Sequence, residues 1–338
     1  MDIIREKINI NEFRSRVFDM YFRGMSFAAF DIETTGLQPG NSQMMLAGFC
    51  SCRDGVGEIV QFYAESLSEE ADVIEASLSY MKELDFVLTY NGRRFDTPFT
   101  LKRAGVCRVP KKLISCYPYD FDLYPLVRKF SDIGSFTPNL RQTTLENFMG
   151  LWQSRTDEID GGISVDMYYD YLVSRDPELK EKILLHNRDD VVQLYRLLGA
   201  TGRIDMHAGL SKQGFPVKTS KGVFIIDSAL LKRNKLVVCG RQGADHVSYQ
   251  DPGDGYLAAK FDKAGSFQIE ITLMQRGDLM LADITKLPAD EWHFEGSPAF
   301  GSGYLVLAQG TGKTRQCNHM EINLLAKIIT ERIVENEL

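Results

Sequence analysis

Two acidic side chains stand close together at the end of an apolar run. Residues 27–37 read FAAFDIETTGL, which places Asp31 and Glu33 two positions apart, just before a Thr-Thr-Gly turn. In a β-strand, residues two apart point to the same face, so both carboxylates would enter one spot. A buried, unpaired charge is costly, so the pair would need compensation from elsewhere in the chain. A solvated strand end that leads into a turn is the alternative interpretation.

Two further polar segments could join this pair. The first, YNGRRFDTP (90–98), follows another apolar strand and carries Asp96; this residue would equally suit a helix start, because the Thr-Pro after it opens a helix. The second lies on a helix, where His186 and Asp190 are four residues apart and share a face. A solvated ion pair would also explain that spacing. Asp189 lies within a turn of His186 as well, so the spacing alone leaves the relevant acid open.

Taken in order, these motifs resemble those of the DEDD superfamily of 3′–5′ exonucleases. The chain is most similar to the YprB-type ribonuclease H-like nuclease family, through the segments YDFDLYPLVRKF (119–130), TLENFMGL (144–151) and ILLHNRDDVVQLYRLL (183–198). The resemblance covers about residues 25–200. It implies an α/β, ribonuclease H-like fold in which a mixed sheet is flanked by helices.

The resemblance also implies a metal centre. Four carboxylates, from Asp31, Glu33, Asp96 and Asp190, would converge and hold two divalent cations, and all-oxygen ligation suits Mg²⁺ or Mn²⁺. Such a pair of ions would activate a water molecule and stabilise the leaving 3′ oxygen. Glu33 would bridge a metal ion and help to orient the water.

His186 departs from the pattern of the superfamily. In the Tyr-type branch a tyrosine stands four residues before the last aspartate, whereas in the His-type branch a histidine stands five residues before it. Here a histidine takes the shorter spacing to Asp190. The resemblance therefore implies that His186 acts either as a base from a different place or as a water-positioning group.

Residues beside the acids are the predicted substrate contacts. Two follow the first acidic pair and three surround Asp96: Thr34, Thr35, Asn91, Arg94 and Phe95. Backbone amides after the first pair could approach the scissile end, while an arginine suits phosphate and a phenylalanine suits a stacked base. Solvated arginines, and a phenylalanine that belongs to the core, are the alternative at these positions.

Charge and composition leave the partner open. The 338 residues carry a formal net charge of −7, which argues against a nonspecific coat on nucleic acid unless bound cations cancel part of it. No run approaches the roughly 18–20 apolar residues of a membrane span, and the N-terminus does not resemble a signal peptide. Six scattered cysteines form no Cys-x-x-Cys pair, which favours reduced thiols over structural zinc. We expect a cytoplasmic protein that binds nucleic acid and no membrane.

The chain divides into three predicted parts. Residues 1–24 form a helical segment, residues 25–200 the exonuclease domain, and residues 214–338 a smaller β-rich accessory domain that closes with a helix after Asn318. Basic side chains are in local excess near the start of the β-rich part: Lys212, Lys218, Lys221, Lys232, Arg233, Lys235 and Arg241. They could form a nucleic-acid platform, a solvated face or a docking site for a partner protein.

One glycine-rich segment resembles a phosphate-binding loop only in part. Residues 309–314 read QGTGKT, but Leu307 stands where the first glycine of the P-loop pattern is needed. The segment instead predicts a hairpin turn.

Together these features favour a metal-dependent 3′–5′ exonuclease that hydrolyses phosphodiester bonds of RNA or single-stranded DNA by a two-metal mechanism. Two alternatives stay open. One is a nucleic-acid- or protein-binding module on a decayed nuclease fold, against which the complete acid set argues. The other is a structure-specific endonuclease, because the same metal ions cleave internally when the cleft is open at both ends.

Overall fold

A computed structural model describes residues 1–151, 161–243 and 246–338 of the chain. The chain forms two compact units, Met1–Asp205 and Met206–Leu338. Among the described residues, no helix combines the length and the apolar character that crossing a membrane requires.

The first unit is built on a six-stranded mixed sheet with the strand order β1-β4-β3-β2-β5-β6. The strands are β1 (Asp2–Ile8), β2 (Phe27–Thr34), β3 (Met44–Arg53), β4 (Val56–Tyr63), β5 (Phe86–Thr89) and β6 (Tyr119–Asp122). Strands β2, β5 and β6 run parallel, and the remaining neighbours are antiparallel. Strand β2, which carries the first acidic pair, therefore lies inside the sheet between β3 and β5.

Helices accompany this sheet. They are α1 (Arg16–Phe22), α2 (Glu70–Met81), α3 (Asp96–Val106), α4 (Lys111–Ser115), α5 (Leu123–Phe130), α6 (Gln142–Phe148), α7 (Gly161–Ser174) and α8 (Pro177–Arg196). Helix α8 packs on β2 and β3. It begins after Asp176, whose carboxylate accepts the N–H of Glu178 at 3.0 Å, and Pro177 is its first residue. The mixed α/β architecture confirms the predicted fold class.

The N-terminal segment differs from the prediction. Residues 2–8 are a strand rather than part of a helical segment, and only residues 16–22 are helical. Strand β1 pairs antiparallel with β4, from Asp2 opposite Tyr63 to Ile8 opposite Gly57. Its side chains alternate between exposed and half-buried. The conformation of this strand is set by partner residues 49 to 61 positions away, which a local sequence pattern does not report.

The second unit is antiparallel and β-rich. One sheet has the order β10-β11-β12-β9-β8-β7, and a second has the order β13-β14-β16-β15 with β17 on β16. The strands are β7 (Phe215–Thr219), β8 (Gly222–Lys232), β9 (Lys235–Arg241), β10 (Tyr249–Asp251), β11 (Leu257–Phe261), β12 (Ser266–Thr272), β13 (Met274–Arg276), β14 (Leu279–Asp283), β15 (Phe300–Gly301), β16 (Tyr304–Gln309) and β17 (Gln316–Cys317). Helix α9 (Met206–Gln213) precedes them and helix α10 (His319–Glu337) follows.

Two local predictions for this unit are confirmed. Helix α10 begins after its cap residue Asn318, as predicted, and it buries the apolar stripe Ile322, Leu325, Ile329 and Ile333. The glycine-rich segment connects β16 to β17, which pair antiparallel with Ala308 opposite Cys317. It is therefore a hairpin connection, as predicted, rather than the loop between a strand and a helix that a P-loop requires.

Candidate active site

Strand β2 supplies the first two acids. Glu33 is 7% exposed, and Asp31 is half-buried on the same strand. Asp31 lies opposite Gly48 of β3, and Glu33 lies opposite Leu46. Because the two acids are two residues apart on one strand, their side chains leave the sheet on the same face. Both carboxylates therefore face the layer in which α8 packs against β2.

Asp96 joins this pair from the first residue of α3. Its carboxylate Oδ1 accepts the backbone N–H of Ile32 at 3.3 Å, and the residue is 5% exposed. Ile32 lies between Asp31 and Glu33 in the chain. The bond therefore fixes the Asp96 carboxyl group beside the strand that carries the other two acids.

Helix α8 brings His186 and Asp190 to the same place. The His186 Nε2 atom lies 3.6 Å from Glu33 Oε1 and 3.5 Å from Asp190 Oδ2. One ligand atom from each of these three residues lies within 4.8 Å of the others, so they form a group that could hold a metal ion. Asp189 is buried and pairs with Arg188 at 3.0 Å. Asp190 is thus the acid that faces the site.

Burial, and after it repulsion from neighbouring acids, disfavours the charged forms of Asp31 and Asp96. Burial raises the pKa of Asp31 well above its usual range, and the negative charges of Asp96 and Asp190 raise it further. Burial likewise raises the pKa of Asp96 to about 7, with repulsion from Asp120 and Asp122 in the same direction and two backbone hydrogen bonds opposing it. Buried carboxylates that disfavour each other's charge fit a divalent cation, which would relieve both effects. Oxygen donors of this kind suit Mg²⁺ or Mn²⁺.

A buried amide that was not predicted from the sequence orients Asp31. The Asn187 Nδ2 group donates to Asp31 Oδ2 at 3.1 Å, and Asn187 Oδ1 accepts the Gln61 Nε2 group at 2.9 Å. Gln61 also donates to the backbone carbonyl of Leu184 at 2.9 Å. A Cβ atom on Gly48 would lie 2.0 Å from Asn187 Oδ1, so glycine leaves the space that the amide fills. Only the position of Asn187 between His186 and Asp190 pointed to this residue.

A second acidic pair organises the turn before Asp96. The Asp122 carboxylate accepts the backbone N–H groups of Asn91 at 2.7 Å and Arg93 at 3.2 Å. The Asp120 carboxylate accepts the hydroxyl groups of Thr89 and Thr97, each at 2.6 Å. Both acids are buried on β6, within the YDFD segment that carries part of the family resemblance. Their contacts show that they support the turn that leads to Asp96.

The predicted substrate contacts fall into two groups. The Thr34 hydroxyl donates to the carbonyl of Gly36 at 2.9 Å, and the Thr35 hydroxyl accepts the N–H of Gln43 at 2.9 Å, so both side chains shape the loop after β2. This loop continues to Leu37, which is 81% exposed.

Three further predicted contacts lie in the turn before α3. Asn91 has a left-handed backbone with φ +66°. Arg94 is exposed. Phe95 packs against Phe99 at a centroid distance of 5.5 Å and against the core beneath α2. Phe95 therefore has the core packing that was its alternative interpretation, and contact of these three residues with substrate stays a prediction.

The predicted basic region of the second unit is partly neutralised. Lys235 pairs with Glu270 at 2.5 Å, and Arg241 pairs with Asp227 at 3.0 Å. The paired side chains are partly exposed, where such ion pairs contribute little stability. The charge available to a nucleic acid is lower here than the sequence suggests.

The chain belongs to the RNase_H superfamily. The family match covers residues 28–201, which is 174 of the 338 residues and so just over half of the chain. It includes β2 from its second residue, all of α3 and all of α8, and therefore every side chain of the acidic site.

The fold is also similar to solved nuclease and polymerase structures, at low scores. A family B DNA polymerase from the archaeon Pyrobaculum calidifontis matches over 52% of this chain and 24% of its own, with 22% identity and a TM-score of 0.43. Exonuclease I without ligand matches over 64% of this chain and 56% of its own, with 16% identity and a TM-score of 0.32. E. coli exonuclease I in complex with a dA16 oligonucleotide matches over 64% of this chain and 55% of its own, with 16% identity and a TM-score of 0.32.

The chain spans about a quarter of that polymerase and little more than half of exonuclease I. No curated protein matches the chain. At these TM-scores the likenesses carry no argument about activity.

Proposed function

We propose that this protein is a metal-dependent 3′–5′ exonuclease that hydrolyses phosphodiester bonds of RNA or single-stranded DNA. Membership of the RNase_H superfamily supports nuclease activity in general. The single observation that carries the proposal is the convergence of Glu33, His186 and Asp190 beside Asp31 and Asp96. We further propose that residues 25–200 form the exonuclease domain and residues 214–338 an accessory domain.

The acids of the site would hold the metal ions. Asp31, Glu33, Asp96 and Asp190 offer the oxygen donors, and bound Mg²⁺ or Mn²⁺ would supply an activated water and stabilisation of the leaving oxygen. Asn187 holds one oxygen of Asp31 and leaves the other for a ligand. The Ile32 N–H holds the Oδ1 atom of Asp96. The protein thereby presents acids whose orientation is set before any ion arrives.

His186 is placed to accept a proton. Its Nε2 atom lies between Glu33 Oε1 and Asp190 Oδ2, at 3.6 and 3.5 Å. Two carboxylates at this distance stabilise the positive charge that the imidazole gains when it takes a proton from the attacking water. We propose that His186 is the general base, and that its spacing from Asp190 follows from sharing one helical face with it.

Digestion of end-labelled oligonucleotides tests the proposal. RNA and DNA 20-mers would be incubated with Mg²⁺ or Mn²⁺ and with wild type, Asp31→Asn or Asp170→Asn. Asp170 is an exposed acid on α7 and serves as the matched control. We expect mononucleotides released from the 3′ end by wild type and by the control variant only.

Two other outcomes would contradict parts of the proposal. Cleavage of a circular substrate, or internal fragments from a linear one, would replace the exonuclease by an endonuclease. Inactivity of wild type under every metal condition, together with retained oligonucleotide binding, would favour a binding module. A 3′-phosphorylated substrate separates the first case further, because it blocks an enzyme that needs a free 3′ hydroxyl end and leaves internal cleavage unaffected.

A further inference from the structure

An exposed aromatic ring lies on the first unit outside the acidic site. Phe136 is 65% exposed in the loop that follows α5. Its ring is nearly parallel to that of Phe148, with 6.4 Å between centroids and 19° between planes. The guanidinium carbon of Arg203 lies 5.2 Å from the centroid of the Phe148 ring. We call Phe136, Phe148 and Arg203 the aromatic surface.

The composition of this surface points to a class of ligand. Single exposed apolar side chains are common and need no function. An exposed ring supported by a second ring and by an arginine is instead the combination on which bases of single-stranded nucleic acids stack, since every base has a π-face. Of the two rings of this surface, Phe136 is strongly exposed and Phe148 is half-buried, which offers a protein partner little apolar area.

The charge around the rings is favourable for a phosphate backbone. The N–H of Asp205 donates to the carbonyl of Phe130 at 2.8 Å, which ties the segment carrying Arg203 to the end of α5. The segments 128–136, 141–148 and 203–205 together expose more cationic than acidic side chains. The exposed cations are Arg128, Lys129, Arg141 and Arg203, and the exposed acids are Asp132 and Asp205. This local excess contrasts with the net charge of −7 of the whole chain. A negatively charged strand would be attracted here rather than to most of the protein surface.

Helix α6 connects the aromatic surface to the acidic site. The Gln142 side chain, at the start of α6, donates to the backbone carbonyl of Asp190 at 3.1 Å. Phe148 ends the same helix six residues later, which is about 9 Å along the axis. The loop before α6 is also fixed near the turn that precedes Asp96, because the Tyr90 hydroxyl donates to the carbonyl of Leu140 at 2.8 Å. A nucleic-acid strand whose end lies at the acids can therefore reach the rings of the aromatic surface.

We propose that the aromatic surface binds single-stranded nucleic acid, with a base stacked on Phe136 and the backbone held by Arg203 and its neighbours. The inference rests on the proposed function insofar as the same strand would enter the acidic site. The aromatic surface would bind the part of the substrate that lies several nucleotides before the scissile end. Stacking on a ring reads no sequence, so the surface accepts any base.

Fluorescence anisotropy in EDTA tests this inference without any hydrolysis. The probes are 5′-fluorescein-labelled dT16 and U16, and the proteins are wild type, Phe136→Ala, Phe136→Leu, Phe136→Trp and Val173→Ala. Val173 is 89% exposed on α7 and is the matched control for loss of an exposed apolar side chain. We expect Phe136→Ala and Phe136→Leu to weaken binding by about tenfold, within the range measured for base stacking. Phe136→Trp should retain binding, and Val173→Ala should leave it unchanged.

Arg203 gives an independent readout. Arg203→Gln should lower the slope of log Kd against log salt by about 0.7, the value for one phosphate contact on a single strand. Binding that is equal in wild type and Phe136→Ala, or absent from wild type, would overturn the inference. So would a loss in Phe136→Ala that Phe136→Leu restores, because it would show apolar contact without stacking. The result is distinguishable from failure of the proposed nuclease, since the binding measurement needs neither metal nor activity.

Discussion

Replacing Gly48 with alanine tests the orienting role of Asn187 without changing an acid. The new Cβ atom would lie 2.0 Å from Asn187 Oδ1, far inside van der Waals contact, in a part of the fold where Asn187 has no exposed surface. The amide must move, and its bonds to Asp31 and Gln61 are lost or lengthened. Overpacking costs about 1–3 kcal/mol, and a lost hydrogen bond costs about 0.5–1.5 kcal/mol. We expect Gly48→Ala to lower the free energy of unfolding by about 2–4 kcal/mol.

Urea unfolding and a double-mutant cycle measure this effect. Gly105→Ala is the control, because a Cβ atom at Gly105 meets nothing within 4 Å. In the double variant Gly48→Ala/Asn187→Ala, the methyl group no longer meets an amide, so the combined loss should be smaller than the sum of the single losses. Displacing the orienting amide should also weaken Mn²⁺ binding by about 10–100-fold.

Two results would refute this reasoning. If Gly48→Ala is as stable as Gly105→Ala, the close approach of Asn187 does not restrict residue 48 to glycine. Strict additivity in the double-mutant cycle would show that the two residues do not interact. Either result would remove Asn187 as the group that positions Asp31.

Three further predictions concern a buried ion pair, the pH dependence and the proposed base. Arg103→Ala leaves the buried Glu70 carboxylate without its cationic partner, while its hydrogen bonds from Met44 and Gln43 remain. Urea unfolding should therefore show a loss of about 3–5 kcal/mol in the free energy of unfolding, and a loss below about 1 kcal/mol would count against a desolvated pair. The pKa of Asp96 is raised to about 7 in the folded protein, so the folded state holds the carboxyl proton of Asp96 more tightly than the unfolded chain does. The metal-free protein should therefore lose stability as pH rises from about 4 to about 7. Asp96→Asn should flatten this pH profile of stability in thermal unfolding. His186→Ala should lower kcat by about 10²–10⁴-fold; a much smaller loss in single-turnover digestion would reduce His186 to a water-positioning group.

The acids of the site follow from local patterns. Asp31 and Glu33 share a face because a strand alternates, and His186 and Asp190 share a face because a helix repeats every 3.6 residues. Those periodicities need no knowledge of the tertiary structure. Convergence of the separate segments came from the family resemblance, and the structure brings the five side chains to one place.

The supporting residues could not be obtained in this way. Gly48 and Gln61 lie on strands that meet α8 only in the folded protein, so nothing in their neighbouring sequence marks them. Asp122 reads as a strand residue, yet its carboxylate holds the turn before Asp96 from 29 and 31 positions away. Strand β1 was missed for the same reason, since pairing with β4 decides its conformation.

The most direct test of the account is the binding of a divalent cation to the acids. Titration calorimetry with Mn²⁺ would compare wild type, Asp31→Asn and the exposed control Asp170→Asn, with circular dichroism to show that each is folded. The account predicts saturable binding to wild type and to Asp170→Asn, and a loss of that binding in Asp31→Asn. Absence of binding to folded wild type, or equal binding by Asp31→Asn, would contradict it.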